Sequence, residues 1–217
     1  MNYKNKLVLA LDVPHAGRAF DIAREVGDVV DAIKVGNPLV LSAGMNFVEI
    51  LSEIAPIICD FKVADVPHVN AMIVEDAFTH SASAVIVHGF MGEDSVRAAV
   101  DKAREFGGEV YVVVEMSNPG AVRFMQGIGE DIAKMAVEVG ASGVIAPGTR
   151  PERIRVYRKI VGDRYILSPG VGAQGGSAIN AIKAGATAVI VGRSIYNSQC
   201  PRTAAERLVE EIYKNLG

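Results

Sequence analysis

Asp60-Phe61-Lys62-Val63-Ala64-Asp65 places three charged side chains in six positions whose other members are apolar. A strand repeats every two residues, so Asp60 and Lys62 share a face. Lys34 lies near the end of a similar apolar run, Ala32–Val35, and can approach them. A structural ion-pair cluster is the plain alternative. However, charges gathered in a pocket incur a desolvation cost that apolar residues would avoid, which favours a chemical role. Lysines flanked by aspartates stay protonated, because neighbouring opposite charge favours the ionised form. Two unit charges about 4 Å apart attract by roughly 4 kcal/mol at an effective dielectric of 20. A held ammonium suits stabilising a developing carbanion and then protonating it. It is a poor general base or Schiff-base nucleophile, so the pattern points to decarboxylation or aldol-type chemistry.

A second cluster lies near the C-terminus. Ser168-Pro169 leads into Gly170-Val171-Gly172-Ala173-Gln174-Gly175, a literal GxGxxG. Dinucleotide binding would need an acid at the end of the following strand. That strand, Ala188–Val191, ends instead in Gly192-Arg193. Glycines that admit close backbone approach, helix N-termini and a bidentate arginine fit a phosphate monoester better. A purely structural turn is one alternative, and a phosphorylated dinucleotide met by the arginine is a weaker one.

The elements that must hold these groups recur evenly. Apolar, largely β-branched runs at Leu7–Leu11, Ala32–Val35, Ile57–Lys62, Ala84–His88, Val110–Val114, Gly143–Ala146, Tyr165–Ser168 and Ala188–Val191 read as parallel strands buried on both faces. Ala16–Val26, Asp94–Phe106, Pro151–Val161 and Thr203–Leu216 read as amphipathic helices, the last with Thr203 and Glu206 as a capping box. Eight strand–helix units of about 27 residues predict a (β/α)8 TIM barrel, with an open doubly wound sheet as the weaker alternative. In such a barrel, functional groups sit where strands end. Asp12, Lys34, Glu115-Met116-Ser117, Arg150 and Arg193 fall at those junctions.

Composition narrows the setting. The chain has 217 residues, half of them hydrophobic, with a formal net charge of −3. This predicts a single barrel domain over residues 1–217 and excludes disorder. It leaves no footprint for nucleic acid or an anionic membrane. Cys59 and Cys200 show neither disulfide-framework nor zinc spacing. No apolar run is long enough to span a bilayer, and Leu7–Leu11 is too short for a signal peptide. The expectation is a soluble, cytoplasmic protein.

The stretches LALD (9–12), IKVGNPLVL (33–41), DFKVADVP (60–67), EMSNPGA (115–121), SPGVGAQGG (168–176) and VGRS (191–194) occur in the order found in orotidine 5′-monophosphate decarboxylases, and the chain resembles that family's short archaeal form. DFKVAD alone is shared with related sugar-phosphate enzymes; its combination with Lys34, Ser117 and Gln174 is much more specific. The resemblance implies loss of CO2 from orotidine 5′-monophosphate to give UMP, with no cofactor and no metal, by a barrel homodimer. It implies a charge array of Lys34, Asp60, Lys62 and Asp65, with Asp65 reaching the partner subunit's site. Lys62 would stabilise the C6 carbanion and protonate it, and Asp60 would lie against the departing carboxylate. Asp12 would bind ribose hydroxyls with help from Lys34, and Ser117 would read the pyrimidine edge. Gln174, Gly192 and Arg193 would hold the phosphate, beside substrate-binding positions Pro169 and Val171.

The family often carries Thr two residues after the proline of its DFKVAD segment. Val69 stands there in this chain and has no hydroxyl for that ribose contact, and the adjacent Asn70 is not assigned the role. A magnesium-dependent pentulose or hexulose phosphate lyase is the nearest rival; its second strand ends in an acid, where this chain has Lys34. A non-catalytic nucleotide-binding dimer is the other rival, and it would have no use for an intact charge array. Among the remaining groups, His88 reads as hydrogen-bonded structure before it reads as a base. Arg150 either borders the site or makes a surface ion pair. Cys59 reads as a small buried residue and Cys200 as a free loop thiol.

Overall fold

Eight short apolar segments pair side by side in a computed structural model that describes residues 1–216. They are β1 (Leu7–Ala10), β2 (Ala32–Gly36), β3 (Ile57–Val63), β4 (Ala84–His88), β5 (Glu109–Val113), β6 (Gly143–Ile145), β7 (Tyr165–Pro169) and β8 (Ala188–Val191). All pairings are parallel and in chain order, and β8 returns to β1 to close the barrel. The (β/α)8 expectation holds and the open sheet does not.

Around the barrel run α1 (Ala16–Val26), α2 (Asn37–Ala43), α3 (Asn46–Ser52), α4 (Pro67–Thr79), α5 (Glu93–Glu105), α6 (Ala121–Phe124), α7 (Gly129–Glu138), α8 (Pro151–Val161), α9 (Ala178–Lys183), α10 (Arg193–Tyr196) and α11 (Pro201–Lys214). The expected capping box does not form. Pro201 opens α11 two residues before Thr203, and Glu206 pairs with Arg202 at 2.9 Å one turn away. Proline at the first helical position already supplies a fixed φ and lacks the N–H that a cap would satisfy. Among the described residues no helix is long and apolar enough to cross a membrane.

Strand alternation divides the core into two layers. Leu7, Leu9, Ile33, Val35, Ile57, Cys59, Val85 and Val87 face the helices. Val8, Ala10, Ala32, Ile58, Ile86, Val113, Ile145 and Ile190 face the barrel interior. Lys34 and Asp60 share the parity of the inner set, which delivers both to the interior at the C-terminal ends of their strands. At the other end, Tyr3, Tyr111 and Tyr165 fill the barrel. The Tyr3 and Tyr111 hydroxyls lie 2.6 Å apart, and Tyr165 donates to the Met1 carbonyl at 2.7 Å. The two ends of the barrel are thus built differently, one packed with aromatic rings and the other lined with charge.

One strand departs from regularity. Cys59 pairs with Val85 and Val63 with Val87, so β3 carries two more residues than β4 over the same span. Lys62 lies inside this bulge at φ +47°, a left-handed conformation that costs a lysine energy. A one-residue insertion would turn the following side chains to the other face. Two residues preserve the parity, and Asp60 and Lys62 stay on one side.

Candidate active site

The C-terminal mouth encloses a cavity of about 220 Å³. Its floor is apolar, formed by Ile86, Val113, Ile145 and Ile190 from β4, β5, β6 and β8. One wall, from β1 to β3, is charged. The Lys34 ammonium lies 3.2 Å from Asp12 Oδ1 and 2.9 Å from Asp60 Oδ2. The Lys62 ammonium lies 2.8 Å from the other Asp60 oxygen, Oδ1. The order is therefore Asp12, Lys34, Asp60, Lys62, with signs alternating and Asp60 shared between two cations.

Lys34 and Asp60 are buried, at 6% and 9% exposure. Burial alone would raise the Asp60 carboxyl, but the Lys34 and Lys62 charges outweigh it and hold the group below its ordinary value. The same balance acts on Lys34. Burial pushes it down, Asp60 and Asp12 pull it up more strongly, and it ends above the usual lysine value. Both groups are ionised at neutral pH. Lys62 is the accessible member, with its side chain about one third exposed. Asp12, also partly exposed, faces the cavity mouth.

The opposite wall comes from the loops after β5, β7 and β8. Ser117 donates to the Gln174 carbonyl oxygen at 2.8 Å across a separation of 57 residues. Pro169, Gly170, Val171, Gln174, Gly192 and Arg193 also line the cavity. Gly170 adopts φ +93°, and a Cβ there would lie 2.7 Å from the Ser117 Cβ and 3.0 Å from the Thr149 Cγ2. Only glycine admits this contact between the two loops. Arg193 is exposed and makes no ion pair among the described residues. It opens α10, a single helical turn, so its guanidinium and the adjacent backbone donors, more than any helix dipole, are what an anion would meet.

Asp12, Lys34, Asp60, Lys62, Ser117, Pro169, Val171, Gln174, Gly192 and Arg193 all line this one cavity. Asp65 does not. It is exposed just beyond β3, accepts from the Val66 N–H at 2.7 Å, and borders an outer groove with Asn37, Val40, Phe61 and Lys62. Asn70 is fully buried and holds this turn, accepting from the Asp65 N–H at 3.0 Å and donating to the Ser95 carbonyl at 3.2 Å. Val69 lies in the first turn of α4 and is half-buried.

Met116 and Tyr196 also line the cavity and carried no signal as single residues. Burial and the nearby Lys62 charge push His88 below the ordinary histidine value, so its ring is neutral, packed 4.7 Å from Phe90 with Nδ1 buried and unpartnered among the described residues. The expected hydrogen bond to that atom is missing. Arg150 is no surface residue: it pairs with the fully buried Glu115 at 2.7 Å. Burial pushes the Cys59 thiol up to about 12, leaving it inert, while Cys200 is exposed.

The closed barrel with a charged, solvent-accessible cavity at its C-terminal mouth is the architecture of a (β/α)8 barrel enzyme. The chain belongs to the orotidine 5′-phosphate decarboxylase / HUMPS family, whose model matches residues 5–208. It is 57% identical over 213 residues to the orotidine 5′-phosphate decarboxylase of Methanococcoides burtonii, covering 98% of this chain and 99% of that one. It is 44% identical to the Pyrococcus furiosus enzyme of the same name, covering 95% and 97%. The crystal structure of orotidine 5′-monophosphate decarboxylase from Methanocaldococcus jannaschii, complexed with inhibitor BMP, superposes with a TM-score of 0.91 at 43% identity, covering 95% of this chain and 97% of that one. The Pyrococcus horikoshii enzyme gives 0.88 at 46% identity, covering 95% and 99%.

Proposed function

We propose that this chain decarboxylates orotidine 5′-monophosphate to UMP without a cofactor, and that Lys62 is the acid of the reaction. The observation that carries this reading is the shared carboxylate: Asp60 holds the ammonium groups of Lys34 and Lys62 on its two oxygens, at 2.9 and 2.8 Å. A substrate carboxylate placed beside Lys62 would also lie near Asp60. The bond from C6 to the carboxylate breaks, CO2 departs, and the electron pair stays on C6. Lys62 stabilises that pair and gives C6 a proton from Nζ; the neutral amine then regains a proton from water.

Remote contacts supply positioning. Asp12 and Lys34 address the ribose, Ser117 the pyrimidine edge, and Gln174, Gly192 and Arg193 the phosphate, with Pro169 and Val171 packing beside them. Binding energy from the phosphate end can then be spent on holding C6 against Lys62. The magnesium-dependent lyase reading is disfavoured by Lys34, whose ammonium occupies the space between Asp12 and Asp60 where a divalent cation would be held.

The working unit in this reading is a homodimer of single-domain subunits, residues 1–217, in the cytoplasm. Asp65 points away from its own array. Leu41, Val66, Met72 and Phe90 are exposed apolar side chains on α2, α4 and the flanking loops. A second copy covering this surface would remove them from water and bring Asp65 to the neighbouring site.

The test is the absorbance change on mixing the protein with orotidine 5′-monophosphate in excess EDTA. Rapid formation of UMP is expected. Turnover that appears only with added magnesium and a sugar phosphate would replace this reading with the lyase.

A further inference from the structure

Glu115 lies two residues beyond the end of β5 and has no exposed surface. An ionised carboxylate is costly in such a place unless several donors satisfy it. Here it has three. Arg150 Nε donates to Oε1 at 2.7 Å, Arg153 Nε donates to Oε2 at 3.0 Å, and the Tyr157 hydroxyl donates to Oε2 at 2.6 Å. Arg150 is the N-cap of α8, and Arg153 and Tyr157 lie within that helix, one turn apart.

The same donors grip the backbone that carries Ser117. Arg150 also donates to the Met116 carbonyl, and Thr149 donates to the Ser117 carbonyl at 3.0 Å. Arg153 reaches the far end of the loop, donating to the Gln126 carbonyl at 3.4 Å and to Glu130 at 3.1 Å. Glu115 thus fixes both arginines, and the arginines fix the loop at its start and its end. The closeness of the packing is visible at Gly129, where a Cβ would run into the Tyr157 hydroxyl and lie 3.0 Å from the Val114 carbonyl.

We infer that Glu115 is a positioning residue for the reaction, holding Arg150 and Arg153 so that Ser117 stands at the height needed to meet both the pyrimidine edge and Gln174. This rests on the assignment of Ser117 to the pyrimidine. Glu115 itself lines no part of the cavity. A neutral amide keeps the shape but exchanges an acceptor for a donor facing two cations, so the arginines lose their anchor.

The test is a double-mutant cycle on kcat/KM for orotidine 5′-monophosphate, with melting temperature as a second readout. Glu115→Gln is expected to lower kcat/KM about tenfold in the otherwise wild-type protein and less than about twofold when Ser117 is already Ala. The losses in melting temperature should add in the same pair. Equal, additive losses of kcat/KM in both backgrounds would overturn the proposal, as would unchanged kcat/KM with a lowered melting temperature. Should Glu115→Gln fail to fold, Tyr157→Phe removes a single donor and is expected to show the same non-additivity at about threefold. A Ser117→Ala protein with wild-type kcat/KM would overturn the Ser117 assignment and this proposal with it, a result distinct from additivity.

Discussion

Lys62 donates to Asp60 at 2.8 Å from within a bulge, its backbone held at φ +47°. The residue proposed as the acid therefore sits in a backbone conformation that lysine disfavours. The closed ring of paired strands on either side enforces it. Such strain persists where surrounding structure over-determines it, and it pre-sets the ammonium against the shared carboxylate.

Removing the ammonium tests its role most directly. Lys62→Ala should lose at least about 10⁴ in kcat, the scale of a lost proton donor and electrostatic stabiliser acting together, and still bind UMP. Near-normal turnover in a stopped assay would exclude Lys62 as the acid.

The Asp60 carboxyl lies below its ordinary value of 3.8 in the folded protein, so its contribution to stability is present above about pH 4 and fades as pH falls through the folded value. Lys34 lies above 10.5, so its contribution holds below that pH and is lost as pH rises through its own folded value. Asp60→Asn should destabilise the protein by about 3 kcal/mol at pH 7, since it leaves Lys34 with Asp12 alone. Urea unfolding should show that difference shrinking below pH 4. A difference independent of pH would mean that the ion pairs are not its source.

Arg193 stands at the cavity edge with no competing ion pair among the described residues. Arg193→Ala should weaken UMP binding by about 2–4 kcal/mol while leaving uridine binding nearly unchanged. Calorimetric titration of both ligands separates the phosphate from the base. An equal loss for each would take Arg193 off the phosphate.

Gly170→Ala places a methyl group 2.7 Å from the Ser117 Cβ at a φ of +93°. It should lower stability by about 1–3 kcal/mol and weaken UMP binding, because the Ser117–Gln174 hydrogen bond is pushed apart. Thermal unfolding and UMP titration check the two effects.

The proposed sharing of Asp65 between subunits predicts complementation. Lys62→Ala and Asp65→Ala proteins should each be nearly inactive alone. Unfolded together and refolded in equal amounts, they should recover about a quarter of wild-type activity, since half of the dimers are mixed and each holds one complete site. No recovery in dimers shown to be mixed would place Asp65 within its own subunit's site or outside the chemistry.

The sequence by itself determined the barrel, because eight buried strands at even spacing have few other ways to satisfy both faces. It also determined most of the polar lining of the cavity, though not Tyr196, and it added Asp65, which lies outside this chain's own cavity. Asp12, Lys34, Asp60, Lys62, Ser117, Gln174 and Arg193 lie at strand ends or in the loops that follow, and a closed parallel barrel brings all such ends to one rim. Even the common face of Asp60 and Lys62 was legible from a spacing of two.

The sequence could not show the bulge that keeps that face through an irregular pairing, because register depends on the neighbouring strand. Nor could it separate Asp65 from its two neighbours in sequence: the turn held by Asn70 sends it outward, and that hydrogen bond is tertiary. Glu115 and Arg150 were visible as residues at strand ends, but their meeting joins two β/α units. Only the closed barrel, by setting the segment after β6 against the loop after β5, decided that a buried carboxylate would be satisfied there.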